Sequence, residues 1–173
     1  MKKLPEPRVL FSEETIRRRV DELARQISAD YAGKGDVLLV GVLKGAFIFL
    51  ADLCRRMTVP RTVDFIAVSS YGDKTVSSGT VRLVLDLRGD ISGRHVLVVE
   101  DIVDTGSTLA YLLDLLRLRG PKSLKTCALL RKAKGGPAVD YLGFEIEDEW
   151  VVGYGLDYAD AYRALPFIGV IQV

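Results

Sequence analysis

Three carboxylates, Glu100, Asp101 and Asp104, stand immediately before Thr105, Gly106, Ser107 and Thr108. The small and polar residues from Asp104 to Thr108 can turn the backbone sharply and aim successive N–H groups into one concavity. The apolar segment 109–118 then continues as a helix. First-turn N–H groups lack intrahelical partners and the helix dipole favours negative charge, so a loop entering a helix this way is a ready anion site. A phosphate fits it. The three acids cannot serve that phosphate, because like charges repel. As acceptor-only groups they suit vicinal ribose hydroxyls and Mg²⁺, and the two halves together suit a phosphorylated sugar. An ordinary βα loop with solvated acids and a hydroxyl cap is the alternative; three acids around one Thr-Gly-Ser-Thr turn weigh against it.

These residues need a rigid support. Val96, Leu97, Val98 and Val99 are apolar and mostly β-branched, as in a strand buried on both faces of a parallel sheet, and the predicted strand ends at Glu100. Further apolar strands are predicted at 37–42, 62–69, 81–87 and 123–130, with short strands around 150–154 and 167–173 and a helical turn between these last two. Ser12 can cap a helix whose first turn holds Glu13 and Glu14 and whose stripe is Ile16, Val20, Leu23, Ala24 and Ile27. A second helix is predicted at 46–57. The alternation of strands and helices argues a parallel α/β sheet with ligands at the carboxyl ends of the strands. The stretch 71–79 is polar, with two glycines and several hydroxyl residues, and reads as a mobile lid or an exposed hairpin.

Other residues are ambiguous by themselves. Lys44, between Leu43 and Gly45 just after a strand, either faces a ligand or snorkels to solvent. Lys132 offers three donors and no acceptor, so it either bonds an acceptor on a ligand or is a surface lysine. Trp150, taken alone, reads as a core tryptophan, and Asp157 with Arg163 as a surface ion pair. His95, at the start of the motif strand, reads as structural, so neither a Ser-His-Asp triad nor a histidine metal site is supported. The glycine fingerprints of nucleoside triphosphatases and dinucleotide-binding proteins are absent.

The stretch 96–109 resembles the phosphoribosyl diphosphate binding motif of the type I phosphoribosyltransferases, and its Glu-Asp-Ile-Val-Asp-Thr-Gly form resembles the hypoxanthine-guanine branch. The resemblance continues through Leu43-Lys44-Gly45, Ser69-Ser70-Tyr71-Gly72, Lys132, 143–146, 150–158 and Tyr162-Arg163, nearly the whole chain. It implies a mainly parallel five-stranded sheet flanked by helices, with a flexible loop at Ser70 and Tyr71 and a small hood built from both terminal segments, in one domain over 1–173. It implies transfer of a phosphoribosyl group to hypoxanthine or guanine with release of pyrophosphate, a purine salvage reaction. In that reaction Asp104 is catalytic; Lys44, Gly45, Glu100, Asp101, Asp104, Thr105, Gly106, Ser107, Thr108 and Arg163 bind phosphoribosyl diphosphate. Ile102, Lys132, Trp150, Val151 and Asp157 bind the purine, and Glu100, Asp101 and Asp157 bind Mg²⁺. A homodimer or homotetramer is implied. The alternatives are a xanthine-preferring enzyme and a pyrimidine-operon RNA-binding regulator with uracil activity; the regulator usually carries Tyr in place of Asp104.

Composition agrees with these expectations. With 173 residues, 49% of them hydrophobic, the chain suits one well-buried core. A formal net charge of +1 gives no bulk drive toward nucleic acid or an anionic membrane. Cys54 and Cys127 have no partners at metal spacing and read as buried thiols. The basic start lacks an apolar stretch behind it, so it is not a secretory signal, and the apolar run 37–53 is broken by Lys44 and two glycines. A cytoplasmic protein is expected.

Overall fold

The centre of the fold is set by two apolar runs that are buried on both faces. The computed structural model describes residues 5–71, 80–133 and 136–172. β2 (Val37–Leu43) and β5 (His95–Val103) lie side by side in parallel, paired from Val37↔His95 to Gly41↔Val99. Successive side chains of a strand point to opposite faces, so Leu39, Leu97 and Val99 pack toward α1 (Glu13–Tyr31) and α2 (Phe47–Arg56). Leu38, Val40, Val96 and Val98 pack on the other side against α3 (Ser107–Arg117). Each fully buried side chain of this kind stabilises by roughly 1.5–3 kcal/mol, which makes the sheet the rigid frame and leaves the loops at its rim free for chemistry.

The sheet has the order β4-β3-β2-β5-β6-β7, where β3 is Arg61–Tyr71, β4 Thr80–Leu85, β6 Ser123–Lys132 and β7 Tyr141–Ile146. Five of its strands run parallel, and β4 is added as an antiparallel edge by pairing with β3. A second, antiparallel sheet has the order β1-β9-β8, from β1 (Arg8–Phe11), β8 (Trp150–Val152) and β9 (Ile168–Ile171). It joins the amino-terminal segment to the carboxyl-terminal one as a hood. Phe11 stacks on Phe144 of β7 with ring centroids 4.1 Å apart, which ties hood to core.

Several local expectations change. β5 runs past Glu100 to Val103, because pairing with β6 continues at Ile102↔Leu130 and Val103↔Arg131. α3 begins at Ser107, two residues early, since Gly106 takes φ 82° and its carbonyl accepts from the Ala110 N–H at 2.9 Å. β1 and β7 were not foreseen. β7 depends on a distant partner: Arg19 of α1 donates to the carbonyls of Gly143 and Leu142 at 2.8 and 2.6 Å. The predicted helical turn between β8 and β9 is instead a chain of tight turns with positive φ at Tyr154, Ala159, Asp160 and Tyr162. Cys127 is buried as expected, but Cys54 only partly so. Ser12 caps α1 as predicted, its hydroxyl accepting from the Thr15 N–H at 3.2 Å. No helix among the described residues is long and apolar enough to cross a membrane.

Candidate functional site

The carboxyl ends of β2, β5 and β6 meet the hood, and the polar residues singled out above converge there. After β5 the chain turns at Gly106, whose left-handed φ an L side chain rarely adopts. A Cβ there would also collide with Pro137 and come within 2.8 Å of the Gly136 Cα. Thr105 and Ser107 share a hydroxyl contact of 3.1 Å across this turn. A small cavity of about 90 Å³ is lined by Glu100, Ile102, Asp104, Thr105, Gly106 and Thr108, among others. The helix N-terminus and the first acid of the motif therefore open onto one space.

The neighbouring acids serve different loops. Glu100 is only 6% exposed and belongs to that cavity. Asp101 lies against the loop after β2, so close that a Cβ on Gly45 would fall inside its carboxylate. Burial raises the Glu100 carboxyl well above its ordinary value, and the charge of Asp101 adds to the rise. Burial likewise brings Asp101 up to about 6; backbone N–H groups and Arg163 oppose the rise, and Asp157 reinforces it. Two acids are thus desolvated with incomplete compensation, a pattern that clusters at functional sites. Among the described residues no group of three His, Cys, Asp or Glu side chains converges as a metal cage.

Opposite Asp101 stands the cationic part of the site. The Leu43–Lys44 peptide is cis. The Lys44 ammonium lies 3.2 Å from Asp160. The Arg163 guanidinium lies 2.7 Å from Asp157 and 3.2 Å from Asp160, and donates to the Gly155 carbonyl at 2.8 Å. Asp157 and Arg163 are mostly buried, unlike the surface pair that their spacing alone suggests. Gly155 packs directly on the Gly45 carbonyl oxygen, so the two loops are in van der Waals contact.

Lys132 ends β6 and turns inward. Its ammonium is 2.7 Å from Asp148 and 3.2 Å from Asp104, with the side chain 16% exposed. The Asp148 hydrogen bond leads in raising its pKa, burial opposes, and Asp104 adds to the rise. Arg131 instead pairs with Glu145 across the β6–β7 edge, so of these two neighbours it is Lys132 that reaches Asp104.

In the hood, Trp150 opens β8 and is 59% exposed, not a core residue. It meets Tyr158 edge to face at 6.0 Å. Val151 is buried and pairs with Val170, while Ile102 lines the small cavity beside Glu100. Ser70 and Tyr71 end β3; their side chains and the predicted lid that follows lie outside the described residues. His95 sits at the far end of β5, its Nδ1 2.6 Å from the Ser123 hydroxyl, away from the site as expected. Asp148, Asp160 and Tyr158 were not foreseen. Only a three-dimensional contact marks Asp148, whereas Asp160 and Tyr158 lie inside the Asp157–Arg163 stretch and could have been weighed with it.

The sequence matches the phosphoribosyl transferase domain over residues 10–159. A hypoxanthine-guanine phosphoribosyltransferase of Dictyostelium discoideum is 47% identical over 170 residues, covering 95% of this chain and 94% of that protein. Its counterpart in Bacillus subtilis is 48% identical over 168 residues, covering 95% and 93%. Among solved structures, the hypoxanthine phosphoribosyltransferase of Trypanosoma cruzi in complex with the product IMP superposes with a TM-score of 0.90 at 47% identity, covering 99% of this chain and 97% of that one.

Proposed function

The chain belongs to the phosphoribosyltransferase family, in its hypoxanthine-guanine branch, and from that membership we propose that the site at the carboxyl end of the sheet carries out purine salvage. The enzyme transfers the 5-phosphoribosyl group of phosphoribosyl diphosphate to hypoxanthine or guanine, giving IMP or GMP and pyrophosphate. One observation carries the assignment of the site: the anion cradle at the start of α3 and the buried acid Glu100 share one cavity, so a phosphate and the hydroxyls of its sugar can be held side by side.

In this reading the N–H groups and hydroxyls from Asp104 to Thr108 hold the 5′-phosphate, and Glu100 and Asp101 accept from the ribose hydroxyls. This fixes C1 of the sugar against the base, and such positioning is much of the catalysis. The bond from C1 to the pyrophosphate oxygen breaks with its electron pair leaving on pyrophosphate, where Lys44, the Gly45 loop and Arg163 stabilise the growing charge. The purine nitrogen bonds to C1, and Asp104 takes the proton released at N7. Lys132 donates to the 6-oxo group, Trp150 stacks on the ring, and Ile102, Val151 and Asp157 complete the base pocket. Ser70 and Tyr71 begin the segment proposed to cover the site.

Mg²⁺ is the proposed cofactor. The donor set fits it: hard carboxylate oxygens at Asp101 and Asp157, with Asp157 adding to the upward shift of the Asp101 carboxyl. Mg²⁺ needs only one or two carboxylates beside substrate phosphates and water. Asp101 and Asp157 would hold it beside substrate phosphate and water, while Glu100, expected to join them, faces the cavity at the start of α3 instead; when bound the ion would neutralise charge on the departing pyrophosphate. We also propose a homodimer or homotetramer, for which the exposed Phe47, Val63 and Leu85 supply apolar surface, and a cytoplasmic location.

The test is spectroscopic. Nucleotide formation is followed with phosphoribosyl diphosphate and Mg²⁺ against hypoxanthine, guanine, xanthine, adenine and uracil in parallel. Turnover confined to 6-oxopurines is expected; activity on uracil alone, or silence on every purine, would refute the assignment.

A further inference from the structure

The segment bearing Asp157 and Arg163 is tied to α2 at its start by a part-buried hydrogen bond from Tyr154 to Asp52. Tyr154 lies between Gly153 and Gly155 with φ 51°, a left-handed conformation that is an outlier for a bulky residue unless its surroundings enforce it. Those surroundings are visible. Its backbone N–H donates to the Leu165 carbonyl at 2.8 Å, and the Gly155 N–H donates to the Arg163 carbonyl at 2.9 Å, closing the neck of the loop. Its ring is 6% exposed, and its hydroxyl donates to Asp52 Oδ2 on α2 at 2.6 Å.

Asp52 is itself held. Its other oxygen meets Arg55 and Arg56, and Arg56 continues to Asp21 on α1. Burial acts to raise the Asp52 carboxyl, but hydrogen bonds from Tyr154, Arg55 and Arg56 outweigh it and hold it below its ordinary value. The acceptor is therefore ionised, and a bond to an ionised acceptor is stronger than a neutral one. α2 starts directly after the Lys44–Gly45 loop, and Gly155 rests on the Gly45 carbonyl oxygen. The Tyr154–Asp52 bond thus joins the two loops that carry the site's cations.

We propose that Tyr154 and Asp52 are positioning residues that fix the distance between the Lys44–Gly45 loop and the Asp157–Arg163 loop, and thereby set affinity for the diphosphate end of phosphoribosyl diphosphate without touching it. This rests on the reading above, in which those two loops hold pyrophosphate. A cavity of about 270 Å³, lined in part by Ile48, Asp52, Arg56, Tyr154 and Leu165, adjoins the ring. Once the hydroxyl is lost the ring has space to move, so the loop's position depends on the bond and not on close packing alone.

The experiment is steady-state kinetics on wild type, Tyr154→Phe, Asp52→Ala and the double variant, with phosphoribosyl diphosphate and hypoxanthine varied separately. Removing a charge-assisted hydrogen bond is expected to raise KM for phosphoribosyl diphosphate about tenfold in either single variant. Inhibition by pyrophosphate should weaken by the same factor, while KM for hypoxanthine stays put. The double variant should be no worse than the poorer single one, because both remove the same bond. Equal losses for both substrates, additive losses, or no change at all in active protein would overturn the inference alone. Wild-type protein that neither binds nor consumes phosphoribosyl diphosphate would overturn the reading and the inference with it. Should Tyr154→Phe fail to fold, Asp52→Asn, which keeps a neutral acceptor for the hydroxyl, must raise KM for phosphoribosyl diphosphate less than Asp52→Ala does; an equal shift in the two would refute the role.

Discussion

The two ends of the parallel sheet treat charge in opposite ways. At the amino end, Arg94 bridges Asp36 and Thr62, and Arg119 grips Asp86 with two parallel hydrogen bonds at 2.8 and 2.9 Å. Every acid in those contacts has a cation within bonding distance, and the Arg119 bond leads in holding the Asp86 carboxyl low. At the carboxyl end, Glu100 is buried and Asp101 half-buried, both with raised pKa values, and Lys132 is shared between Asp104 and Asp148. A fold selected for stability alone would pair or remove such acids, because desolvation of an unpaired carboxylate is costly. The uncompensated end is where a ligand supplies the missing partners.

The comparison breaks most directly at Asp104. Replacing it with Asn should lower kcat by about 10² to 10⁴, the usual scale of general acid–base catalysis, and leave phosphoribosyl diphosphate binding intact by titration calorimetry; near-normal turnover would remove the functional reading of this end. Next in size is Gly45→Ala. The new methyl group must displace the Asp101 carboxylate, so overpacking should cost about 1–3 kcal/mol, read by urea denaturation together with weaker phosphoribosyl diphosphate binding.

At the quiet end, His95 offers a test by pH. Burial, then Lys122 and Lys34, lower its pKa in the folded state, so the unfolded chain binds the proton more readily. Stability should be insensitive to this group above about pH 6.5 and fall as pH drops below that value, with a slope of at most about 1.4 kcal/mol per pH unit. His95→Gln should flatten that slope while leaving turnover near wild type. The smallest effect is expected for Arg119→Ala. That partly exposed pair should be worth about 0.2–1 kcal/mol, and a thermal melt showing a much larger loss would mean the amino end also relies on buried charge.

What could be read from sequence divides along similar lines. The run from Glu100 to Thr108 was legible because strand, turn and helix start are contiguous, and each residue's chemistry is local. The strand at 37–42 was legible because burial on both faces writes an unbroken apolar run, and the one at 123–130 because its second half, Cys127–Leu130, does the same. Asp148 was not, because its role appears only when β6 brings Lys132 to it. Tyr154 and Asp52 lie 102 residues apart and meet only in the folded chain. The turns at 154–162 read as helical from sequence because the contacts that shape their start, from Tyr154 and Gly155 to Leu165, Arg163 and Gly45, exist only in the folded chain. Trp150 reads by itself as a core tryptophan and by resemblance as a purine-stacking residue; its position at the start of a hood strand leaves it exposed, against the first of these.

The central claim, that the acids and the helix start at the carboxyl end form one nucleotide site, is tested most directly by a crystal structure with IMP bound. The account predicts the phosphate against the backbone N–H groups of residues 105–108, the ribose hydroxyls at Glu100 and Asp101, and the 6-oxo group within hydrogen-bond distance of Lys132 Nζ. IMP lodged elsewhere, for instance in the cavity beside Tyr154 and Arg56, would contradict it.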